Sequence, residues 1–315
     1  MKPTVIIAAA NGFIGKELIS FLSNNYRIIG LVRKPQASTP LVNYLIWDGR
    51  SVGDWSFEFE SAEAVINLAG KSVNCRYNER NKAAIYASRL DSTRAIGEAI
   101  NRCANKPKVW INAASATIYA HSLDKPNTEE NGVIGTGFSV DVCQQWEACF
   151  NSYAQPGVRQ VILRTAIVLG KNGGVMVPFR NLVRLGMGGK MADGQQVFSW
   201  IHETDLCRAV QFFIENEQTE GVYNLSAPNP VKNETFMRTL RKVLNTPFGI
   251  PQPKWLLRFG ARLIGTETEL IFKSRFVLPE RLQKAGFVFE HPEIEECLED
   301  LTAESAKIYT KHAGV

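Results

Sequence analysis

The chain is expected to fold as an α/β protein, a doubly wound parallel sheet with a smaller C-terminal lobe. Three observations lead there. Short apolar, β-rich runs alternate with segments of helical periodicity through the first half of the 315 residues. Such alternation builds a parallel sheet covered on both faces, and the right-handed crossover rule makes it doubly wound. The opening stretch "VIIAAANGFIG", Val5 to Gly15, runs from an apolar strand into a glycine turn and then a helix. Past Gly170 the alternation stops, and glycine-rich and then Pro-, Phe- and Trp-rich sequence takes over.

The elements follow in order. "TVIIAAA" is a buried strand, and "GKELISFLSNN" a helix with Leu18, Ile19 and Leu22 at helical spacing. "RIIGLVR" and "EAVINLAG" are strands, "RLDSTRAIGEAINRCAN" an amphipathic helix, and "KVWINAAS" another strand. "GFSVDVCQQWEACFNSYA" is a helix and "RQVILRTAIVLG" one long strand. "KNGGVMVPFRNLVRLGMGGK" reads as a loop with a short helix, "VFSWIHETDLCRAVQFFIEN" as strand, turn and helix, and "GVYNLS" as a last short strand. This gives a dinucleotide-type domain over 1–170 and 196–227, a substrate lobe over 171–195 and 228–298, and a tail over 299–315. No internal repeat or low-complexity tract interrupts it.

Composition narrows the function classes. The net charge of +5 is mild, and Lys and Arg are spread without runs, so no nucleic-acid partner is expected. The six cysteines include no C-x-x-C pair, which leaves neither a metal site nor a redox motif. Free thiols suit a cytoplasmic location. "TVIIAAA" ends at once in Asn11-Gly12 with no cleavage pattern after it, and no apolar run reaches the roughly 18 residues that span a bilayer. In "PKWLLRFGARLIG", Trp255, Leu256, Phe259 and Leu263 form an apolar face opposite Lys254, Arg258 and Arg262. This is read as a lobe helix packing on the sheet domain, with no membrane contact.

"AAANGFIG" lies between a strand and a helix, the context a phosphate-binding loop requires. Gly12 lets the backbone approach a pyrophosphate, Gly15 lets the helix pack tightly on the strand, and the helix start offers free N–H groups to anions. Ala9 replaces the glycine of the tight turn, which is tolerable provided φ is negative. At the end of the second strand, where an acid would bond a ribose 2′-OH, stand Arg33 and Lys34. Cations there suit a 2′-phosphate, so the expected cofactor is NADP.

With "GFIG", "NLAG" (67–70) and "SATIY" (115–119), the chain resembles the extended short-chain dehydrogenase/reductase superfamily, the nucleotide-sugar epimerases and dehydratases. "YASRLDSTRAI" (86–96), "GFSVDVCQQWEA" (137–148), "SWIHETDL" (199–206) and "RFVLPERLQKAGFVFEHP" (275–292) are similar to its atypical, divergent epimerase-like branch, from Val5 to about Leu298. The resemblance implies a seven-stranded Rossmann sheet, NADP at its strand ends and a C-terminal substrate lobe. It also implies a small-molecule substrate, such as a nucleotide sugar or a small carbonyl compound, and a homodimer. It places Ala9, Asn11, Gly12, Phe13 and Ile14 on the phosphate loop and Arg33 and Lys34 at the 2′-phosphate. Asp48 would stand by the adenine, Leu68, Ala69 and Gly70 along the ribose and the bridge to the nicotinamide half, and Arg89 on a helix facing the cofactor.

The epimerases use a Ser/Thr with a Tyr-x-x-x-Lys. Ser115 fits the serine position, but the tyrosine position falls on Phe138 and the lysine position on Val142. Phenylalanine accepts no proton and valine supplies no charge, and the branch itself carries this F-x-x-x-V pattern. Tyr119 and His202 are the candidate substitutes beside Ser115. Each also has a structural reading, packing for Tyr119 and a lobe-junction hydrogen bond for His202. Asp205 is expected to cap a helix, and Cys143 to be a buried apolar residue. Two functions follow: an NADP-binding epimerase-like oxidoreductase with an altered proton donor, or a catalytically inactive NADP-binding scaffold or sensor acting through a partner.

Overall fold

The computed structural model describes residues 2–264 and 272–303. Its centre is a seven-stranded sheet made of β1 (Thr4–Ala8), β2 (Arg27–Val32), β3 (Asn43–Ile46), β4 (Ala64–Asn67), β5 (Val109–Ser115), β6 (Arg159–Thr165) and β11 (Gly221–Leu225). They lie in the order β11-β6-β5-β4-β1-β2-β3 with every neighbouring pair parallel. The order reverses beside β1, so a crevice opens at the carboxyl ends of β1 and β4, where such sheets bind ligands.

The period-two pattern of the strands feeds two cores. Val5 and Ile7 of β1, with Ile66 and Ile111, pack on α1 (Phe13–Leu22) and α5 (Glu203–Glu215) through Leu18, Leu22, Leu206 and Phe213. Ile6 and Ala8, with Val65 and Trp110, pack on α2 (Glu79–Arg102) and α3 (Phe138–Asn151) through Ile96, Ile100 and Phe150.

Three features depart from the sequence reading. β3 was not foreseen: it is a four-residue edge strand whose residues are all at least partly exposed. The α2 helix starts at Glu79, well before "RLDSTR", because the Asn78 side chain caps it by accepting the Asn81 N–H at 2.9 Å. The run "RQVILRTAIVLG" is not one strand. Ala166 donates its N–H to Leu225 O at 3.0 Å, whereas Ile167 donates to Ser199 O at 3.2 Å. The chain therefore leaves the main sheet there, and β7 (Ile167–Gly170) joins a second sheet, ordered β10-β7-β8, with β8 (Gly173–Gly174) and β10 (Trp200–His202).

The lobe adds the antiparallel pair β9 (Val197–Phe198) and β12 (Val231–Lys232) and the helices α4 (Met176–Arg184), α6 (Asn233–Val243), α7 (Lys254–Ile264), α8 (Glu280–Lys284) and α9 (Ile294–Thr302). Leu169, Met176, Val183, Phe198, Trp200 and Phe236 gather in its core with Cys297, Leu298 and Leu301 of α9. Residues 299–302 of the expected tail thus complete a packed helix, and 304–315 lie outside the described residues. On α7, Leu257 packs on the lobe core rather than on the sheet domain. Trp255 and Phe259, on the expected apolar face, are exposed, as are Lys254, Arg258 and Arg262 of the basic face. The Leu263 side chain lies outside the described residues. No described helix is long and apolar enough to cross a membrane.

The turn after β1 positions everything above the sheet. A Cβ on Gly15 would stand 2.6 Å from Ala10 O and 2.8 Å from Ala10 Cα, all backbone, so only glycine lets α1 sit this close to the strand. Ala9 has φ +58°, which corrects the expectation of a negative φ. An L-residue held there costs about 1–2 kcal/mol. The turn is closed by the Gly12 N–H donating to Ala9 O at 3.0 Å.

Two substitutions of opposite sign follow. Gly15→Ala is expected to destabilise the fold by about 1–3 kcal/mol through overpacking. Ala9→Gly is expected to stabilise it by about 1 kcal/mol by releasing the left-handed strain, net of glycine's entropy. Thermal melts of both variants beside the parent check the pair, and a lower Tm for Ala9→Gly would refute the strain.

Candidate functional site

The crevice opens on a cavity of about 590 Å³ lined by Ala9, Asn11, Arg33, Trp47, Asp48, Arg50, Ala69, Gly70 and Lys71, with Ser72, Ser88 and Ser92 among the remaining walls. Six residues expected at a cofactor meet here: Ala9, Asn11, Arg33, Asp48, Ala69 and Gly70. Gly12, Phe13 and Ile14 open α1 beside it, with Gly12 as the N-cap and no side chain bonding the helix end. The first-turn N–H groups of Phe13, Ile14 and Gly15 therefore have no partner within the helix and form a dipole end suited to an anion. Leu68 donates its N–H to Ala8 O at 3.3 Å. Lys34 is exposed beside Arg33 but does not line the cavity.

Sequence reasoning missed Arg50 and Lys71. With Arg33 they give the cavity three cations. Arg50 meets Asp91 only at 3.8 Å, with both side chains partly exposed. Its signal was present in "WDGR", two positions beyond Asp48. Asp48 itself faces inward on its own turn. Its Oδ1 accepts the N–H groups of Arg50 and Ser51 at 2.7 and 2.8 Å, and its Oδ2 accepts the Ser51 hydroxyl at 2.7 Å. The Ser51 N–H and hydroxyl, followed by the Arg50 N–H, hold its carboxyl below the usual range.

A buried polar network shapes the loop after β4. Asn67 Nδ2 donates to Asn112 Oδ1 at 2.8 Å and to Thr93 Oγ1 at 3.2 Å, and Asn67 Oδ1 accepts the Ala69 N–H at 3.1 Å. Trp146 Nε1 also donates to Thr93 Oγ1, at 3.0 Å. Together these fix the "NLAG" turn to β5, α2 and α3. Arg89, on the α2 face shared with Thr93, lies against Gly70: a Cβ at Gly70 would be 3.2 Å from its Cζ.

The catalytic candidates are not brought together. Ser115 ends β5 at the crevice and caps the following turn, its Oγ accepting the Thr117 N–H at 3.2 Å and donating to Thr117 Oγ1 at 3.0 Å. Tyr119 is fully buried. Its hydroxyl donates to Asn224 Oδ1 at 2.8 Å and accepts from Arg164 Nη1 at 3.0 Å. Arg164 in turn grips Glu147 through two bonds of 2.8 Å. Burial raises the Tyr119 pKa, so the phenol is a strut between β5, β6 and β11. His202 is buried and caps α5, its Nδ1 accepting the Thr204 N–H at 3.0 Å. The ring proton is then on Nε2, which donates to Asp300 at 3.1 Å. Both nitrogens are engaged. Burial first, then the His291 ring stacked at 3.9 Å, hold the pKa down to about 4. His202, His291 and Asp300 have the spacing of a metal triad, but this tautomer leaves His202 no lone pair for an ion.

Phe138 opens α3 and lies among aromatic rings, with Tyr77 at 4.7 Å and Tyr86 at 5.5 Å between centroids. The Tyr86 hydroxyl is bonded to Asp141, and burial and that carboxylate push its pKa up to about 12. Val142 is buried. Cys143 is a buried thiol, pushed up to about 12 by burial.

The comparisons agree with this fold. Residues 5–226 match the NAD dependent epimerase/dehydratase family, and residues 252–301 match a domain of unknown function, DUF1731. An epimerase family protein of Staphylococcus epidermidis is 31% identical over 298 residues, covering 94% of this chain and 98% of that one. Among solved structures, human epimerase family protein SDR39U1 (isoform 2) with NADPH is 27% identical at a TM-score of 0.83, covering 95% of this chain and 98% of that one. A nucleoside-diphosphate sugar epimerase from Corynebacterium glutamicum is 27% identical at a TM-score of 0.75, covering 95% of this chain and 57% of that one. The chain belongs to the NAD-dependent epimerase/dehydratase family and carries its NAD(P)-binding Rossmann fold.

Proposed function

We propose that the chain binds NADP(H) in this crevice and is an epimerase-like oxidoreductase acting on a small molecule without the usual Tyr-x-x-x-Lys pair. The carrying observation is the pair Arg33 and Arg50 in a cavity whose one carboxylate, Asp48, is consumed by its own turn. A 2′-phosphate suits two guanidinium groups, whereas a free ribose diol would want an available carboxylate. That the similar human protein was crystallised with NADPH supports the same reading.

A bound nicotinamide supplies hydride exchange with a substrate carbon. The chain's part is to hold the dinucleotide on the α1 N-terminus and to present the Ser115 hydroxyl at the end of β5. The phenylalanine at the tyrosine position and the engaged hydroxyl of Tyr119 and ring of His202 favour a second reading, a catalytically silent NADP-binding scaffold or sensor. Turnover of labelled NADPH against a panel of nucleotide sugars and small carbonyl compounds separates the two.

In calorimetry, Arg33→Ala is expected to weaken NADPH about 10–100-fold, in the range of a lost charge-assisted contact, and to leave NADH within about twofold. Equal affinity of the parent for both cofactors would overturn the choice of NADP. The purified protein is expected to show no useful UDP-sugar epimerase rate, since a positioned acid–base group contributes about 10²–10⁴-fold. If another carbonyl substrate turns over, Ser115→Ala should lower the rate and leave NADPH affinity unchanged. Robust epimerisation by contaminant-free protein would show that Phe138 does not occupy the tyrosine position.

A further inference from the structure

A half-buried cation beside the "NLAG" loop has no acid paired with it among the described residues. Arg89 Nη1 donates to Lys71 O and Ile85 O, both at 3.1 Å, and the guanidinium lies over the Trp146 ring at 5.1 Å. Among the described residues it forms no ion pair, and its Nε and Nη2 make no hydrogen bond. Partial burial pulls its pKa down, and Cys143 and Tyr77 stand close enough to oppose that shift. A partly covered guanidinium gains from an anionic or strongly accepting partner. Here two carbonyls and a ring face occupy only part of it.

Its position is informative. Trp146 is one helical turn beyond Val142, and Cys143 is the next residue after it. Tyr77 packs on Phe138. The guanidinium therefore stands beside the stretch of α3 where the epimerase lysine would project. It also touches Gly70, which lines the adenosine cavity together with Ala84, Ala87, Ser88 and Ser92 of α2, whereas Arg89 itself does not line it. We propose that Arg89 supplies from α2 the cation that α3 lacks at Val142, and holds the ribose and adjoining phosphate of the nicotinamide half. This rests on the reading that NADP(H) occupies the crevice.

The test separates the two halves of the ligand. Full-length parent, Arg89→Met, Arg89→Lys and Arg33→Ala are titrated with NADPH and with 2′,5′-ADP, which carries only the adenosine half. Methionine keeps an apolar stem on Trp146 and removes the charge. Arg89→Met is expected to weaken NADPH about 10–100-fold and to leave 2′,5′-ADP within about twofold, which also shows that the variant is folded. Arg89→Lys should recover part of the loss, and Arg33→Ala should weaken both ligands. Unchanged NADPH affinity in Arg89→Met, or equal loss of both ligands, would overturn the assignment. A parent that binds neither ligand would instead overturn the cofactor reading beneath it.

Discussion

The structure depends on one close approach, that of α1 to the end of β1 at Gly15 and Ala10. Backbone meets backbone there with no room for a methyl group. That contact fixes the helix axis, aims its uncapped N-terminus into the crevice and forces the turn before it into the geometry seen at Ala9. Glycine at position 9 would satisfy the turn without strain. This chain instead holds an alanine in the left-handed region, which the surrounding sheet and helix must enforce. The turn after β1 is thus built from outside inward, by packing rather than by local preference.

Around that loop the polar groups are divided between structure and binding. The Asn67 side chain satisfies Asn112, Thr93 and the Ala69 N–H, so the turn that would carry the ribose is rigid. The Tyr119, Arg164 and Glu147 chain, buried and closed at both ends by Asn224 and the paired carboxylate, does the same for the junction of β5, β6 and β11. Groups that face the cavity, Arg33 and Arg50, have at most one weak partner of their own. A site organised this way binds with little rearrangement, because its supporting network is already satisfied.

Much of this was legible in the sequence. The strand–glycine–helix opening and the alternation announced the fold, because each expresses a local rule. What stayed hidden was tertiary. The positive φ of Ala9 is held within the packed turn and is not a preference of alanine itself. The division of "RQVILRTAIVLG" depends on which strand receives the Ile167 N–H, and the short edge strand β3 has too few apolar residues to announce itself. The roles of Tyr119 and His202 turned on partners 105 and 98 residues away. Arg50 was overlooked because its meaning depends on a loop folding back toward Arg33.

The Phe13 ring has a consequence for descent. It fills the space over Gly170 and Gly173, where a Cβ would come within 2.2 Å of the ring, and Glu203 Oε2 stands 2.3 Å from the place of a Cβ on Gly170. Phe13 stands 157 residues or more from either glycine in the chain, yet neither glycine can gain volume alone. Their variation should therefore be correlated across homologues: a side chain at 173 should appear only with a smaller residue at 13, and one at 170 only where positions 13 and 203 both give way. Substitutions at the phosphate loop and at the entrance to the lobe would then be inherited as one compensated set.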